Sequence, residues 1–564
     1  MMLFICLVFG WMIRGVAQED KNNPVSKARI KIDLERRIGE IDRKIYGNFI
    51  EHLGRCIYGG IYDPGSPLAD NDGFRSDVVE ASKALNVSIL RWPGGNFASG
   101  YHWEDGIGPK ERRPKRVDLA WGAIESNQIG TDEFIKFCRK VGTEPYICVN
   151  LGTGSWDEAR NWVEYCNRKS GTYYSDLRIK NGNPEPFKVT YWALGNEMDG
   201  DWQMGHRNAD DYGKYALEAS KLMKWIDPDI KLVASGSSYF SGGWVDWNRT
   251  VLNYLKDHVD YIALHTYLGD HTKNYYEFLA STIDVEKRIN IVEGLIKETL
   301  SKSRRTTPIH IAFDEWNVWY RAWNEQKLEE TYDLQDVLVD AQFLNCFVRN
   351  AHIVKIANMA QLVNVIAPMK VDNGKLWLQT IYYPLQLFAG NCLGTSLETF
   401  VACDTYDAGK FKKVPYLDVS SAYDERTSTL VINVVNRHRD QSIETEIVNQ
   451  SGQFAKDAVA YEVNASDPKA QNGPTNQSVK TVQKDFNTGG GRRFVYSFPP
   501  HSFTLIKAKV LEWKGASLQR YKHEKRSESS FHPFPFFRAR MVATWISAGQ
   551  IEHHRRAADR AWHN

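Results

Sequence analysis

The sequence predicts an α/β fold, a (β/α)8 TIM barrel with a C-terminal β-sandwich domain, on three observations. Between residues 44 and 364 lie eight short apolar runs rich in β-branched and aromatic residues, separated by longer stretches with helical patterning. Each run carries polar residues at its C-terminal end, the rim where a barrel of this class builds its active site. After about residue 395 the texture changes to alternating strands broken by turn signals.

At the start of the chain, residues 1–18, within MMLFICLVFGWMIRGVAQED, hold an apolar core too short to span a bilayer and then small residues, which reads as a signal peptide. Arg14 interrupts that core and a basic leader is missing, so a membrane anchor or a misassigned start is the alternative. A signal peptide implies a secreted or periplasmic protein with no membrane attachment after its removal. Residues 28–43, opening ARIKIDLERRIGEI, alternate and are expected to join the sandwich. The catalytic barrel, 44–394, draws its strands from KIYGNFIEH (44–52), VSILRWPGG (87–95), EPYICVNLG (144–152) and VTYWALGNE (189–197). The remaining four are KLVASGSS (231–238), VDYIALHTY (259–267), IHIAFDEWN (309–317) and KIANMAQLVN (355–364). A doubly wound sheet with incidental polar ends is the alternative, and the recurrence of the pattern in every run favours the barrel. STLVINVVNRH, IETEIVNQS and RRFVYSFPPHSFTLIKAKV supply sandwich strands over 395–510. The tail, 511–564, is basic and lacks a long amphipathic period, so it reads as disordered or non-native.

At 564 residues the chain exceeds what one core supports, which requires a large domain and at least one smaller one. Aromatics make up 12% of it, with 18 Trp and 27 Tyr, a supply of flat surfaces for packing or for a ligand groove. Lys and Arg total 71 against 69 Asp and Glu; the resulting +2 gives no body-wide footprint for nucleic acid and suits a neutral substrate. The eight cysteines show no metal-ligand spacing and several sit in apolar surroundings, which points to buried free thiols.

Two carboxylates stand out. Glu197, in YWALGNEMDG, and Glu315, in FDEWNVWY, each close an apolar strand, where desolvation makes an idle charge costly. Acetal hydrolysis needs one group to protonate the leaving oxygen and another to trap the oxocarbenium-like centre, and two carboxyls suffice. Strands four and seven lie across the barrel mouth from one another, so these groups can face each other over a substrate; a retaining mechanism places them roughly 5 to 5.5 Å apart. Ionised Glu315 is expected to raise the pKa of Glu197. A structural rim salt bridge is the other reading of both, and for Glu51 a buried pair with Arg91. Gly94-Gly95 lacks a following GxxxxGK and so makes no nucleotide site, while His265 and His310 lack a third ligand at sensible spacing, so no metal and no cofactor is expected.

NFIEHLGRCIYGGIYD, LRWPGGNFASGYHWEDGIGP, ALGNEMDG, LHTY, FDEWNVWY and AQLVNVIAP, in that order, resemble glycoside hydrolase family 51, the α-L-arabinofuranosidases, over roughly residues 28–510. The resemblance implies that Glu197 is the general acid/base, Glu315 the nucleophile, and Asn196 a partner of the furanose 2-hydroxyl. It implies that Glu51, Arg91, Asn96, Tyr267, Trp319 and Gln361 line or support the terminal-arabinose subsite, with His265 behind them. Core filling is the alternative reading of Trp319. The implied activity is a retaining, exo-acting α-L-arabinofuranosidase that removes terminal arabinofuranosyl residues from arabinan, arabinoxylan and their oligosaccharides, assembled as a homo-oligomer. Another retaining glycosidase of the same barrel clan, an endoglucanase or xylosidase, would keep both glutamates and alter the pocket. A non-catalytic carbohydrate-binding protein would be expected to lose one of them, and both are present.

Overall fold

A computed structural model describes residues 27–325 and 327–511. The signal peptide expected over 1–18, Cys6 and the tail beyond Leu511 lie outside the described residues. All eight predicted runs form parallel strands of one closed barrel: Gly47–Phe49, Ile89–Trp92, Glu144–Val149, Tyr191–Leu194, Lys231–Ala234, Tyr261–Leu268, His310–Val318 and Val354–Ala360. These are barrel strands one to eight, and each hydrogen-bonds to its neighbours in sequence, the eighth closing on the first. Between them run helices stopped by local chemistry. Ser155 accepts the Glu158 amide at 3.1 Å to start Trp156–Asn167, and Gly142, at φ 82°, ends Thr131–Val141 in the left-handed conformation glycine adopts without steric cost.

The two-residue period of a strand explains what fills the barrel and what sits on top. Ile89, Cys148, Ala193, Val233, Ala263, Ala312 and Ile356 belong to one buried apolar layer inside it. Two residues further along, Ile89 gives way to Arg91 and Ala263 to His265, so the strands that build the floor also deliver polar groups above it. Strand seven departs from this period. Its register against strand six runs Ala312 to Ala263 and then Glu315 to His265, one extra residue on strand seven. Such a bulge reverses the parity of the residues beyond it, so consecutive residues Asp314 and Glu315 both reach the interior.

The C-terminal domain is a single nine-stranded hydrogen-bonded sheet. Its order is Lys480–Asn487, Gln453–Asn464, Ser502–Leu511, Thr429–Asn436, Leu417–Asp424, Thr395–Ala402, Ala28–Glu40, Ile443–Asn449 and Arg493–Phe498. It curls until its two edges face each other: Phe486 on one edge strand lies 5.5 Å from Phe494 and 5.2 Å from Tyr496 on the other, ring centre to ring centre. The sandwich core of Ile30, Ile32, Leu430, Ile432, Ile447 and Ile506 is the interior of that curl. The N-terminal strand Ala28–Glu40 occupies an inner position, antiparallel to Thr395–Ala402 and parallel to Ile443–Asn449. A buried cluster fastens this domain to the barrel: Asp418 takes ion pairs from Arg349 at 3.2 Å and Arg437 at 3.1 Å, and a hydrogen bond from Asn345 at 2.8 Å. All seven described cysteines are free thiols, six of them buried.

Candidate active site

The polar ends of the strands converge at the C-terminal mouth of the barrel. Glu197 and Glu315 each offer a carboxylate oxygen, and these together with a ring nitrogen of His265 lie within 4.8 Å of one another. A gap this short between carboxylate oxygens falls on the side of the closer, retaining arrangement rather than the wider inverting one.

Arg91, fully buried, organises the floor. Its Nη1 donates to Glu315 Oε2 at 2.9 Å, its Nη2 to Asn196 Oδ1 at 2.5 Å, and its Nε lies 3.5 Å from Asp314. Its ion pairs are thus with Glu315 and Asp314 and not with Glu51, against the reading of a Glu51–Arg91 pair. The other oxygen of Glu315 accepts the Tyr267 hydroxyl at 2.7 Å. Glu51 accepts the amides of Gly95 and Phe97 and the indole of Trp121 at 3.0, 3.1 and 3.1 Å, and the Gln361 amide at 3.1 Å. The two glycines of RWPGGNF serve this close approach: a Cβ on Gly94 would stand 2.5 Å from Glu51 Cγ, and one on Gly95 3.2 Å from Asn196 Nδ2.

Gly195, two residues before Glu197, has φ 80°, and Glu197 itself takes a φ of 45°, a left-handed conformation uncommon for a residue with a side chain. Strain of this kind persists where the surroundings fix it. One oxygen of Glu197 meets His265 Nδ1 at 2.9 Å; the other accepts Trp202 Nε1 at 2.7 Å and Gln203 Nε2 at 3.3 Å. Gln203 also donates to Asn96. His265 therefore touches Glu197 directly, and through Nε2 it meets Asp314 at 3.2 Å, which in turn accepts the Tyr146 hydroxyl at 2.7 Å. Trp319 is half-buried, its ring edge-on to Tyr267 at 5.4 Å. All ten residues expected at the site surround this mouth. Asn196 Nδ2, Gln361 Oε1 and Trp319 Nε1 are buried there without a partner among the described residues, polar atoms of the kind a hydroxylated ligand satisfies.

Sequence reasoning missed Asp314, Trp121, Trp202 and Gln203. Asp314 is hidden by adjacency, since neighbours in a regular strand face opposite ways. Trp121 lies on the loop between Arg116–Val117 and Ile124–Glu125, and the other two come after strand four; no periodicity marks them.

The electrostatics reverse one expectation. Burial pushes the Glu197 carboxyl up, but the His265, Trp202 and Gln203 hydrogen bonds outweigh it, and its pKa is lowered in the free protein. Glu315 is the raised one, through burial and the charge of Glu197, against the pull of His265 and Arg91. The sequence reading treated the two glutamates as an isolated pair; the imidazolium bonded to Glu197 decides the sign. His265 is itself disfavoured as a cation by burial, yet the charge of Glu315 and its bonds to Asp314 and Glu197 carry its pKa up to about 10. Glu51 rises to about 7 through burial and the proximity of Glu315. Glu197, His265 and Glu315 would also form a cation-binding triad by distance, but a protonated imidazole bonded through both nitrogens has no lone pair for a metal.

These signs bear on stability. The folded pKa of His265 lies above its ordinary value, so its contribution is fully present below about pH 6.5 and is lost as pH rises towards about 10. Glu51, also raised, acts in the same direction between its ordinary value and about 7. The melting temperature of the protein is expected to fall as pH rises from 6.5 to 9, and a His265→Gln variant to show a drop smaller by a few degrees. Calorimetry at the two pH values checks this, and equal drops would assign the slope to other groups.

A closed eight-stranded barrel with two carboxyls, one buried and one half-buried, facing each other over its mouth and floored by an arginine defines a two-carboxylate glycoside hydrolase. Comparison with known proteins narrows the class. The sequence signature of the α-L-arabinofuranosidase 1 domain matches residues 81–282 and that of the α-L-arabinofuranosidase C-terminal domain residues 314–502. The chain is 43% identical over 499 residues to the intracellular exo-α-(1→5)-L-arabinofuranosidase 1 of Bacillus subtilis, covering 86% of this chain and 99% of that protein. It is 45% identical over 429 residues to the intracellular exo-α-(1→5)-L-arabinofuranosidase of Halalkalibacterium halodurans, 74% of this chain and 86% of that one. The solved glycoside hydrolase family 51 α-L-arabinofuranosidase of Thermotoga petrophila superposes with a TM-score of 0.79 at 40% identity, over 85% of this chain and 99% of that one. The chain belongs to glycoside hydrolase family 51, the α-L-arabinofuranosidases. These relatives overturn the secreted or periplasmic placement and lend the signal-peptide reading of residues 1–18 no support, since both bacterial enzymes are named intracellular.

Proposed function

We propose that the protein is a retaining, exo-acting α-L-arabinofuranosidase in which Glu315 is the nucleophile and Glu197 the general acid/base. The observation that carries this reading is the pair of carboxyls with oxygens within 4.8 Å, buried Glu315 bonded to Arg91 and Tyr267 and half-buried Glu197 to His265 and Trp202. In the first step a Glu315 oxygen attacks the anomeric carbon, the bond to the leaving oxygen breaks, and Glu197 delivers a proton to that oxygen. In the second, Glu197 takes a proton from water, the water oxygen attacks the same carbon, and Glu315 is released.

The free-protein charges suit this cycle through His265. Its Nδ1 stands 2.9 Å from Glu197 Oε1, and the charge of Glu315 is the largest influence favouring the proton it carries. As Glu315 bonds to the sugar that charge is consumed, the imidazolium becomes a stronger acid, and its proton passes to Glu197 as the leaving oxygen needs one; the proton that Glu197 takes from water in the second step returns to His265 as Glu315 is released.

Glu51, Arg91, Asn96, Asn196 and Gln361 are proposed to bind the furanose, since many hydrogen-bonding groups around one small ring suit a closed pocket for a chain end. A sugar with misplaced hydroxyls leaves them unpaired and loses transition-state stabilisation. The substrate is an arabinose-containing glycan; terminal residues of arabinan, arabinoxylan and their oligosaccharides are the proposed targets, with α-(1→5) ends supported by the names of the bacterial relatives. Proton NMR of the first sugar released from an arabinan oligosaccharide tests the reading: the α anomer is expected, and a β product would exclude it. On a soluble cellulose derivative kcat/KM is expected to be lower by several orders of magnitude, and viscosity loss ahead of reducing ends would mark an endo-acting cleft instead.

A further inference from the structure

Asp314 takes no step in this cycle, yet it is buried among the reacting groups, where an idle charge is costly. The extra residue on strand seven turns it inward beside Glu315. Its Oδ2 accepts the Tyr146 hydroxyl at 2.7 Å and lies 3.5 Å from Arg91 Nε, while its Oδ1 meets His265 Nε2 at 3.2 Å. Burial disfavours the charge of Asp314, but Arg91, His265 and Tyr146 outweigh that and hold its pKa below the ordinary value. Asp314 is therefore a carboxylate, and a carboxylate only accepts.

We infer that Asp314 is a positioning residue for the travelling proton: by accepting from His265 Nε2 it keeps that nitrogen protonated and makes Nδ1 the one that gives up and takes back the proton. The inference rests on the roles proposed for Glu197 and Glu315. Glu197 of strand four and Glu315 of strand seven face Nδ1, at 2.9 and 3.5 Å, and Asp314 faces Nε2. Behind these carboxylates stand Arg91 and Tyr146 on Asp314, and Arg91 and Tyr267 on Glu315. A neutral imidazole carries one proton, and the partner of each nitrogen decides which one holds it. When the Nδ1–H bond breaks and the proton joins a Glu197 oxygen, the proton left on Nε2 donates to Asp314, and the Nδ1 lone pair points at Glu197. That lone pair is what receives the proton Glu197 later takes from water. The opposite tautomer turns an N–H on Glu197 and has nowhere to put it.

Asp314→Asn tests this, because an amide N–H turned towards Nε2 holds the proton on Nδ1 instead. Two substrates separate the effects: an α-(1→5)-linked arabinofuranosyl disaccharide, whose leaving alkoxide needs a proton, and dinitrophenyl α-L-arabinofuranoside, whose leaving group does not. For the disaccharide kcat/KM is expected to fall about 10²-fold, within the range for general acid catalysis, while the dinitrophenyl glycoside stays within about fivefold. The alkaline limb of the disaccharide profile should also move down by about 1 to 3 pH units, as expected for losing one adjacent opposite charge. Equal losses on the two substrates, or an alkaline limb that stays in place, would leave Asp314 a packing role only and overturn the inference. A second measurement needs no change in strand seven. In ¹⁵N-histidine-labelled protein stalled at the glycosyl-enzyme by a fluorinated arabinofuranoside, the NMR signals of His265, identified by their loss in His265→Gln, are expected to show a protonated Nε2 and a bare Nδ1. A proton on Nδ1 would overturn the assignment. A wild-type enzyme that cleaved neither substrate would overturn the proposed function instead.

Discussion

Glu315→Ala is expected to lower kcat/KM on every arabinofuranoside, activated or not, by on the order of 10⁵-fold, as removal of a covalent nucleophile does elsewhere. A good leaving group cannot compensate, because the missing bond is the one to the enzyme. Asp314 cannot step in, although it is adjacent: its oxygens are engaged by Tyr146 and His265. Azide supplies a stringent check. In the space left by the carboxyl it attacks from the nucleophile's face, so any rescued product should be the arabinofuranosyl azide of inverted configuration. Residual wild-type-like turnover, with contamination excluded, or a rescued azide of retained configuration, would remove Glu315 from this role.

Glu197→Ala should split substrates by leaving group. A sugar alkoxide is a poor leaving group and needs the proton, so kcat/KM on an arabinan oligosaccharide is expected to fall roughly 10²- to 10⁴-fold, the range for general acid catalysis. An aryl glycoside of low leaving-group pKa departs unaided and should lose far less in its first step. Its second step then lacks a base, so the glycosyl-enzyme accumulates and a burst of phenol precedes slow turnover. Azide should relieve that block by attacking from the face Glu197 served and give the azide of retained configuration. The two variants thus predict opposite stereochemistry from one reagent. Equal losses on both substrate types would reject the acid/base assignment.

The framework was legible because it rests on repetition. Eight strands each announce themselves by an apolar run with a polar end, and Glu197 and Glu315 are conspicuous where such runs stop. What escaped depended on departures from repetition. Asp314 reaches the interior beside Glu315 only through the extra residue after Ala312, and a two-residue period places neighbours on opposite faces. Trp121 comes from a loop, and only the folded chain shows its indole on Glu51. The sign of the Glu197 shift failed for a related reason: the resemblance put His265 behind the subsite, but nothing in the sequence told that both its nitrogens would meet carboxyls. The sandwich strands were readable by pattern, whereas their joining into one curled sheet is a matter of edges meeting, which no local pattern encodes.

The inner place of strand Ala28–Glu40 in the C-terminal sheet has a consequence for synthesis. This strand leaves the ribosome first, but one of its partners, Ile443–Asn449, is separated from it by 417 residues between Arg29 and Glu446. At about 5 to 20 residues per second, translation takes on the order of 20 to 80 seconds to supply that partner. Throughout that interval Ile30, Ile32 and Leu34 lack the core that covers them in the finished molecule, and a β-strand with both edges open is a template for pairing with other chains. The barrel between can form while it waits. The connectivity thus asks that this early strand stay shielded until the chain is nearly complete, a demand independent of how stable the final fold becomes.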